Sequence, residues 1–290
     1  MSSVVHLVKE TARGIVIGVA NIIPGVSGGT MAVSMGIYDK LIEAVTDLRK
    51  SFKKSLLFLL PYLIGAALGI VALSFVVRHS LQTWPLQTAG LFIGLIIGGL
   101  PVILKNFRGA KINIGHVVKL IAFFLLVIFM SLNKDIESTA TDFNLNPIMI
   151  IQLFAVGMIA AATMIIPGVS GSMVLMILGF YNGIISNISQ FIKALLSFDM
   201  AGITHGLGVF IPFGIGILIG IALIAKLIRW LFANAPISTY AAITGLILAS
   251  PIAIMIETGC DKPQAGTIAV AIVLMVVGLA ISAYMSREAE

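Results

Sequence analysis

The sequence predicts an all-α integral membrane protein that contains two repeats of opposite topology. Apolar residues form 59% of its 290 residues and charged residues only 10%, too little polar surface to coat a soluble globule of this size. Six windows nearly free of charge are long enough to cross a hydrocarbon core of about 30 Å. They cover residues 55–77, 86–104, 117–132, 206–225, 237–256 and 266–285. We therefore expect at least six full crossings.

An internal repeat is the second observation that predicts this fold. The run IIPGVSG occurs at residues 22–28 and again at residues 165–171, and a glycine and a tyrosine follow each copy in register. Farther along, the matched pairs are Pro61 and Pro212, Gly65 and Gly216, Gly69 and Gly220, Arg78 and Arg229, and Pro85 and Pro236. The chain is thus predicted to comprise a first repeat at 1–135, an outer linker at 136–146 and a second repeat at 147–290.

The loop charges predict that the second repeat is inverted relative to the first. We expect each PGVSG motif to be the tip of a broken-helix hairpin that enters and leaves on one face, followed by three transmembrane helices. With both termini cytoplasmic, this arrangement puts most Lys and Arg residues inside, including the cluster at 49–54. A motif that only kinked a crossing helix would put that cluster outside.

Whether the hairpins are re-entrant or cross the membrane fully stays open at this stage. Charged residues leave only about a dozen apolar residues on either side of the first motif, which suits a re-entrant pair of half-helices. In the second half, residues 147–166 are apolar enough to span the membrane.

The two motifs break apolar helices in a way that suits an anion site. Pro24 and Pro167 each remove a backbone donor, and the glycines beside them permit unusual dihedral angles. The residues after each break would begin a returning half-helix, where free N–H groups, hydroxyls and the positive end of the helix dipole favour a phosphate or carboxylate. These candidate residues are Ser27, Gly28, Gly29, Thr30, Ser170, Gly171 and Ser172. The simpler alternative is a tight turn whose serines only cap the helices.

Charged residues near the predicted spans are further candidates. Arg78 and Arg229 occupy equivalent places at the ends of apolar spans, where they would hold an anionic head group or simply extend toward the interface. Glu10 and Arg13 lie three residues apart on one helical face, where the two side chains are able to pair. One hypothesis is that this carboxylate, beside the anion site, takes up protons and couples transport to them. We prefer to interpret this pair as a solvated cytoplasmic helix end, because the second half carries no equivalent acid.

Other chemistry is poorly supported by the sequence. No hydrolase motif is present, and the four histidines lack the spacing of metal ligands, so we expect neither an enzyme nor a metal site. The net charge of +6 indicates topology rather than a nucleic-acid partner. No cofactor is predicted. Coupling to protons or sodium and assembly into a homo-oligomer both stay open.

The segments NIIPGVSGGTMAVSMGIYDKLIEAV and IIPGVSGSMVLMILGFYNGIIS resemble those of the bacterial polyprenyl-phosphate transporters, and the resemblance covers nearly the whole chain. It implies that the protein moves undecaprenyl phosphate, a recycled lipid carrier, from the outer to the inner leaflet of the plasma membrane. Ser172 replaces Gly29 in the second copy, so the two sites need not bind equally. From the residues alone, a carrier for a small soluble anion and a membrane enzyme acting on a lipid phosphate remain alternatives.

Overall fold

A computed structural model describes residues 2–21, 26–132, 143–259 and 264–287, and over these ranges the chain is almost entirely helical. The helices are α1 (Ser2–Ala20), α2 (Gly28–Ser34), α3 (Tyr38–Thr46), α4 (Phe52–Thr83), α5 (Pro85–Lys105), α6 (Ile114–Leu132), α7 (Pro147–Ile165), α8 (Gly171–Ile177), α9 (Tyr181–Ser197), α10 (Met200–Asn234), α11 (Pro236–Thr258) and α12 (Ala265–Arg287). A short 3₁₀ turn, Asp47–Arg49, lies between α3 and α4. The predicted all-α fold is confirmed.

The described ranges contain seven helices that are long and apolar enough to cross a membrane, namely α4, α5, α6, α7, α10, α11 and α12. Six of them contain the windows found in the sequence, and the seventh is α7, which precedes the second motif. The helices α8 and α9 form a broken pair, bent by 108°. The protein is therefore a multi-pass membrane protein, as expected.

The two halves of the chain share one order of elements. In each half a long helix leads to the motif, a seven-residue helix follows it, and a second break leads into the next helix. That second break lies at Gly36 and at Gly179, whose φ angles of 69° and 78° are in the left-handed region that glycine accepts without steric cost. The repeat is thus present in the backbone, whereas its inversion stays a prediction.

The chain packs as two compact units. The first comprises Met1–Leu132, Ile166–Val169 and Ala225–Glu290, and the second comprises Asn133–Ile165 and Ser170–Ile224. In the first unit, α1 packs against α4, α5 against α12, and α6 against α11, while the short α2 lies against α1 and α5. In the second unit, α7 contacts α8, and a hydrophobic core surrounds Leu153 and Val209. The repeat boundaries at 135 and 147 stay a prediction from the sequence.

Each unit contains one helix pair in close contact at equivalent glycines, α1 with α4 in the first unit and α7 with α10 in the second. A Cβ built at Gly69 of α4 would lie 2.5 Å from the carbonyl oxygen of Ile15 in α1. A Cβ built at Gly220 of α10 would lie 2.5 Å from the carbonyl oxygen of Met158 in α7. Small residues let membrane helices approach until backbone meets backbone, so glycine is required at both positions.

We expect Gly220→Ala to destabilise the protein, because the added methyl would collide with the backbone of α7. Overpacking of this kind costs about 1 to 3 kcal/mol. Gly214→Ala, on the same helix, is the matched control, because no atom lies within 4 Å of its added Cβ. Thermal unfolding in detergent measures both variants. Equal melting temperatures for the two would contradict the close contact.

Candidate functional site

The first motif ends in a capped half-helix. Ser27 precedes α2 with an extended backbone, and its Oγ accepts a hydrogen bond from the Thr30 N–H at 3.1 Å. The Gly28 N–H donates to the Oδ1 atom of Asn21 at 3.0 Å. Two N–H groups predicted to face an anion are therefore bonded to side chains of the protein. Pro24 and Gly25 lie outside the described residues.

Asn21 was not predicted as part of this site. Its amide stands directly before the motif, and short polar side chains often satisfy the free N–H groups at a helix start. That preference was the available signal in the sequence. Asn21 and Gly28 are seven residues apart, on either side of the break, so sequence spacing alone does not identify the pair.

The two motifs contact each other within the first unit. The backbone N–H of Gly168, from the second motif, donates to Thr30 Oγ1 at 2.7 Å and to Ser27 Oγ at 3.2 Å. The two hydroxyl oxygens are 3.0 Å apart and both side chains are buried. Gly168 has a φ of +80°, and a Cβ there would lie 2.7 Å from the carbonyl oxygen of Leu246. Glycine is required at this position for both reasons.

The second motif has different polar contacts. Ser170 precedes α8, and its Oγ lies 2.9 Å from the Oγ of Ser172. Met164 occupies the repeat position of Asn21, and a Cβ at Gly171 would lie 2.7 Å from its Cγ. An apolar side chain thus stands where the first motif has an amide cap. The candidate residues in the two copies are not chemically equivalent, which fits the expectation from Ser172.

Arg229 is paired with groups of the protein in this structure. Its Nη1 donates to Asp47 Oδ1 at 2.5 Å and to Thr46 Oγ1 at 2.7 Å. The hydrogen bond from Arg229 outweighs the opposing effect of desolvation and lowers the pKa of the Asp47 carboxyl. A role for Arg229 in holding a head group stays a prediction. The side chain of Arg78, its repeat counterpart, lies outside the described residues.

Glu10 and Arg13 form a buried ion pair, so their interpretation as a solvated helix end is wrong. The two residues are 5% and 3% exposed, and Arg13 Nη1 lies 2.8 Å from Glu10 Oε1. The Tyr62 hydroxyl donates to Glu10 Oε2, and Arg13 Nη2 donates to the carbonyl oxygen of Met285 at 3.0 Å. Helix α4 packs against this face of α1, and α12 contributes the Met285 carbonyl, a burial that the sequence did not reveal.

An apolar cavity of about 560 Å³ lies beside the end of α1 in the first unit. Its lining includes Val19, two residues before Asn21, and the exposed side chains of Val76 and Trp84. The rest of the lining is formed by Leu73, Val77, Ser80, Gln87, Thr88, Leu91, Phe92, Val270 and Leu274. The Oε1 atom of Gln87 is buried and has no hydrogen-bond partner among the described residues.

Broken helices next to apolar membrane spans are a feature of membrane transporters with discontinuous helices. The chain belongs to the undecaprenyl phosphate translocase-like family, which it matches over residues 17–212 and 207–290.

Two curated relatives carry the name polyprenyl-phosphate transporter. The protein of Staphylococcus aureus (strain NCTC 8325 / PS 47) is 28% identical over 245 residues, which cover 83% of this chain and 84% of the relative. The protein of Vibrio cholerae serotype O1 (strain ATCC 39315 / El Tor Inaba N16961) is 27% identical over 250 residues, which cover 81% of this chain and 73% of the relative. Both are named as transporters rather than enzymes, in agreement with the sequence prediction. No solved structure matches the chain.

We expect Glu10→Leu alone to destabilise the protein by about 3 to 5 kcal/mol, because it leaves the Arg13 charge buried without its partner. Replacing Glu10, Arg13 and Tyr62 together by Leu, Val and Phe is expected to recover most of that loss, since no unpaired charge remains. Free energies of unfolding in detergent measure both variants. A triple variant as unstable as the single one would contradict the buried pair.

We expect Arg229→Gln to raise the pKa of Asp47 toward its ordinary value, because the guanidinium that favours the carboxylate is removed. With the native Arg229, the pair stabilises the fold at neutral pH, and this contribution is lost as the pH falls through the lowered pKa of Asp47. A carbon NMR titration of the labelled carboxyl measures the change. Lys226→Gln, on the same helix, is the control and should leave the titration unchanged.

Proposed function

We propose that this protein moves undecaprenyl phosphate from the outer to the inner leaflet of the bacterial plasma membrane by alternating access, with both termini in the cytoplasm. The names of its relatives support the substrate class. The loop charges support the orientation. The resemblance to polyprenyl-phosphate transporters supports the direction from the outer to the inner leaflet.

The apolar cavity beside α1 is the observation that favours a lipid over a small soluble anion. A soluble anion needs a site surrounded by polar groups and water, whereas the lining of this cavity is mostly aliphatic and includes exposed residues of α4. Its volume is in the range of about 300 to 1,000 Å³ that is typical of ligand sites. A prenyl chain would occupy the cavity while the phosphate lies toward Asn21 and the first motif.

The polar groups of the two motifs are suited to the head group. The hydroxyls of Ser27 and Thr30 and the N–H of Gly168 are donors gathered within hydrogen-bonding distance of one another. In the present conformation they bond to each other and are buried. In the substrate-bound state, phosphate oxygens would replace these internal bonds, so that binding of the head group separates Gly168 from the first motif. Arg78 and Arg229 would serve as charge partners.

Such an exchange of partners links binding to conformational change. The phosphate favours the state in which the donors are free, and the empty protein favours the state in which they pair. A ligand shifts a conformational equilibrium only when it binds one of the two states more tightly than the other. Inverted halves would supply outward-open and inward-open states of similar energy, as in other transporters built from repeats.

We expect Ser27→Ala to slow transport of the head group by about 10- to 150-fold, since one hydrogen bond to a charged group contributes about 1.5 to 3 kcal/mol. Proteoliposomes and a leaflet-specific assay of undecaprenyl phosphate measure the rate. The exposed Ser189→Ala is the matched control. If Ser27→Ala and Arg78→Ala variants at normal membrane levels both transported at the wild-type rate, the head-group assignment would fail.

We expect Val76→Trp to slow lipid transport, because the larger side chain would fill the edge of the cavity. Val71→Trp is the matched control, since Val71 lies on the same helix, is 79% exposed and does not line the cavity. Uptake of radiolabelled inorganic phosphate is measured in parallel. Uptake of the soluble anion without movement of the lipid would contradict the proposed function.

A further inference from the structure

The buried cluster of Glu10, Arg13 and Tyr62 has an apolar counterpart in the second half of the chain. At the repeat positions, Leu153 replaces Glu10, Val156 replaces Arg13 and Phe213 replaces Tyr62. Leu153 and Val156 belong to the hydrophobic core of the second unit, and Phe213 packs against that core.

The surrounding helix contact is the same in both units, so the replaced residues occupy the same structural place. A Cβ at Gly14 would collide with the carbonyl oxygen of Tyr62, and a Cβ at Gly157, its repeat counterpart, would collide with that of Phe213. Residue by residue, the α1 and α4 pair therefore corresponds to the α7 and α10 pair. The second half shows that this packing works with three apolar side chains.

The charges are therefore not needed to build this helix pair. Burying an ion pair removes two charges from water, and well-packed apolar residues of similar volume often stabilise a protein as well or better. In the first unit the arrangement is also incomplete, because Arg13 Nε is buried and has no hydrogen-bond partner among the described residues. The cluster therefore adds little stability, and its arginine has a donor without a partner among the described residues. Both observations favour a role in function.

We propose that Glu10, Arg13 and Tyr62 form the site that couples transport to protons, with Glu10 as the proton carrier; this rests on the proposed transport function. In the described conformation the charges of Glu10 and Arg13 cancel. Uptake of one proton from water by a Glu10 carboxylate oxygen turns the carboxylate into a neutral acid. The Arg13 ion pair is then lost, and the cluster carries one positive charge.

This positive charge is what links the proton to the substrate. A lone buried cation is costly, so the protonated protein favours any state in which the guanidinium reaches water or an anion. Two donors of Arg13 would then be available to a phosphate. They are Nη1, which no longer bonds to the Glu10 carboxylate, and Nε, which has no partner among the described residues. Release of the proton restores the ion pair and favours the state described here.

In the part of the chain that the structure describes, the ionisable groups Arg13, His6 and Tyr62 contact Glu10 and mark its access route. Arg13 and His6 approach from α1, with His6 Nε2 3.7 Å from Oε1, and Tyr62 approaches from α4. Helix α12 contributes the carbonyl oxygen of Met285, which holds the other end of Arg13. His6 is mostly exposed, one helical turn before Glu10, so protons reach the cluster from the N-terminal end of α1. Tyr62 positions the carboxylate from the opposite side.

The full-length protein in proteoliposomes tests the proposal with two readouts. One is the leaflet ratio of undecaprenyl phosphate under an imposed pH gradient, and the other is exchange of labelled for unlabelled lipid without a gradient. For each coupled proton, one pH unit is expected to change the wild-type ratio about tenfold. Glu10→Gln should retain exchange and lose the response to the gradient, and the triple Leu, Val and Phe variant should also lose that response. Glu43→Gln, an exposed acid on α3, should keep the response.

The outcomes separate this proposal from the proposed function. A wild-type protein that moves no lipid would refute the transport function itself. A wild-type protein that moves lipid with no response to the gradient, or a Glu10→Gln variant that responds fully, would overturn only the coupling role. Loss of exchange in a folded Glu10→Gln variant would also overturn it, because Glu10 would then act in substrate binding.

Discussion

The fold depends on satisfying the backbone where the membrane helices break. Inside a bilayer an unpaired N–H or C=O group costs several kcal/mol, so interrupted helices persist only where the protein supplies partners. Asn21 supplies one to Gly28, Ser27 supplies one to Thr30, and the N–H of Gly168 is satisfied by two hydroxyls of the first motif. The same bonds hold the two motifs together, so the stability of the break and the geometry of the candidate site have one origin.

These bonds also explain how a membrane site can be both buried and polar. Donors that pair with one another cost little in the absence of a ligand, and they become available when an anion offers better acceptors. Charge-assisted hydrogen bonds to an ionised group are roughly twice as strong as neutral ones. Under the proposed function, closed pairing and ligand binding would be the two alternatives between which the protein changes during transport.

The two halves share their packing and differ in their chemistry. Glycines at equivalent positions bring α1 onto α4 and α7 onto α10, so the two helix pairs have the same close contact although most of their other residues differ. The ion pair of Glu10 and Arg13 and the amide of Asn21 have apolar residues at the equivalent positions of the second half. A repeated scaffold with unequal side chains thus places a buried ion pair in one half and apolar residues at the same positions of the other.

The amino-acid order alone was enough to predict the all-α membrane fold, the repeat, and six of the seven long spans that the described residues contain, because these follow from composition and local pattern. It also identified the motif residues, since Pro and Gly act on their own backbone. The burial of Glu10 and Arg13, their contact with Tyr62, and the pairing of Arg229 with Asp47 emerged only from the folded chain. Each depends on contact between segments far apart in sequence, and local pattern does not determine which faces of two helices meet.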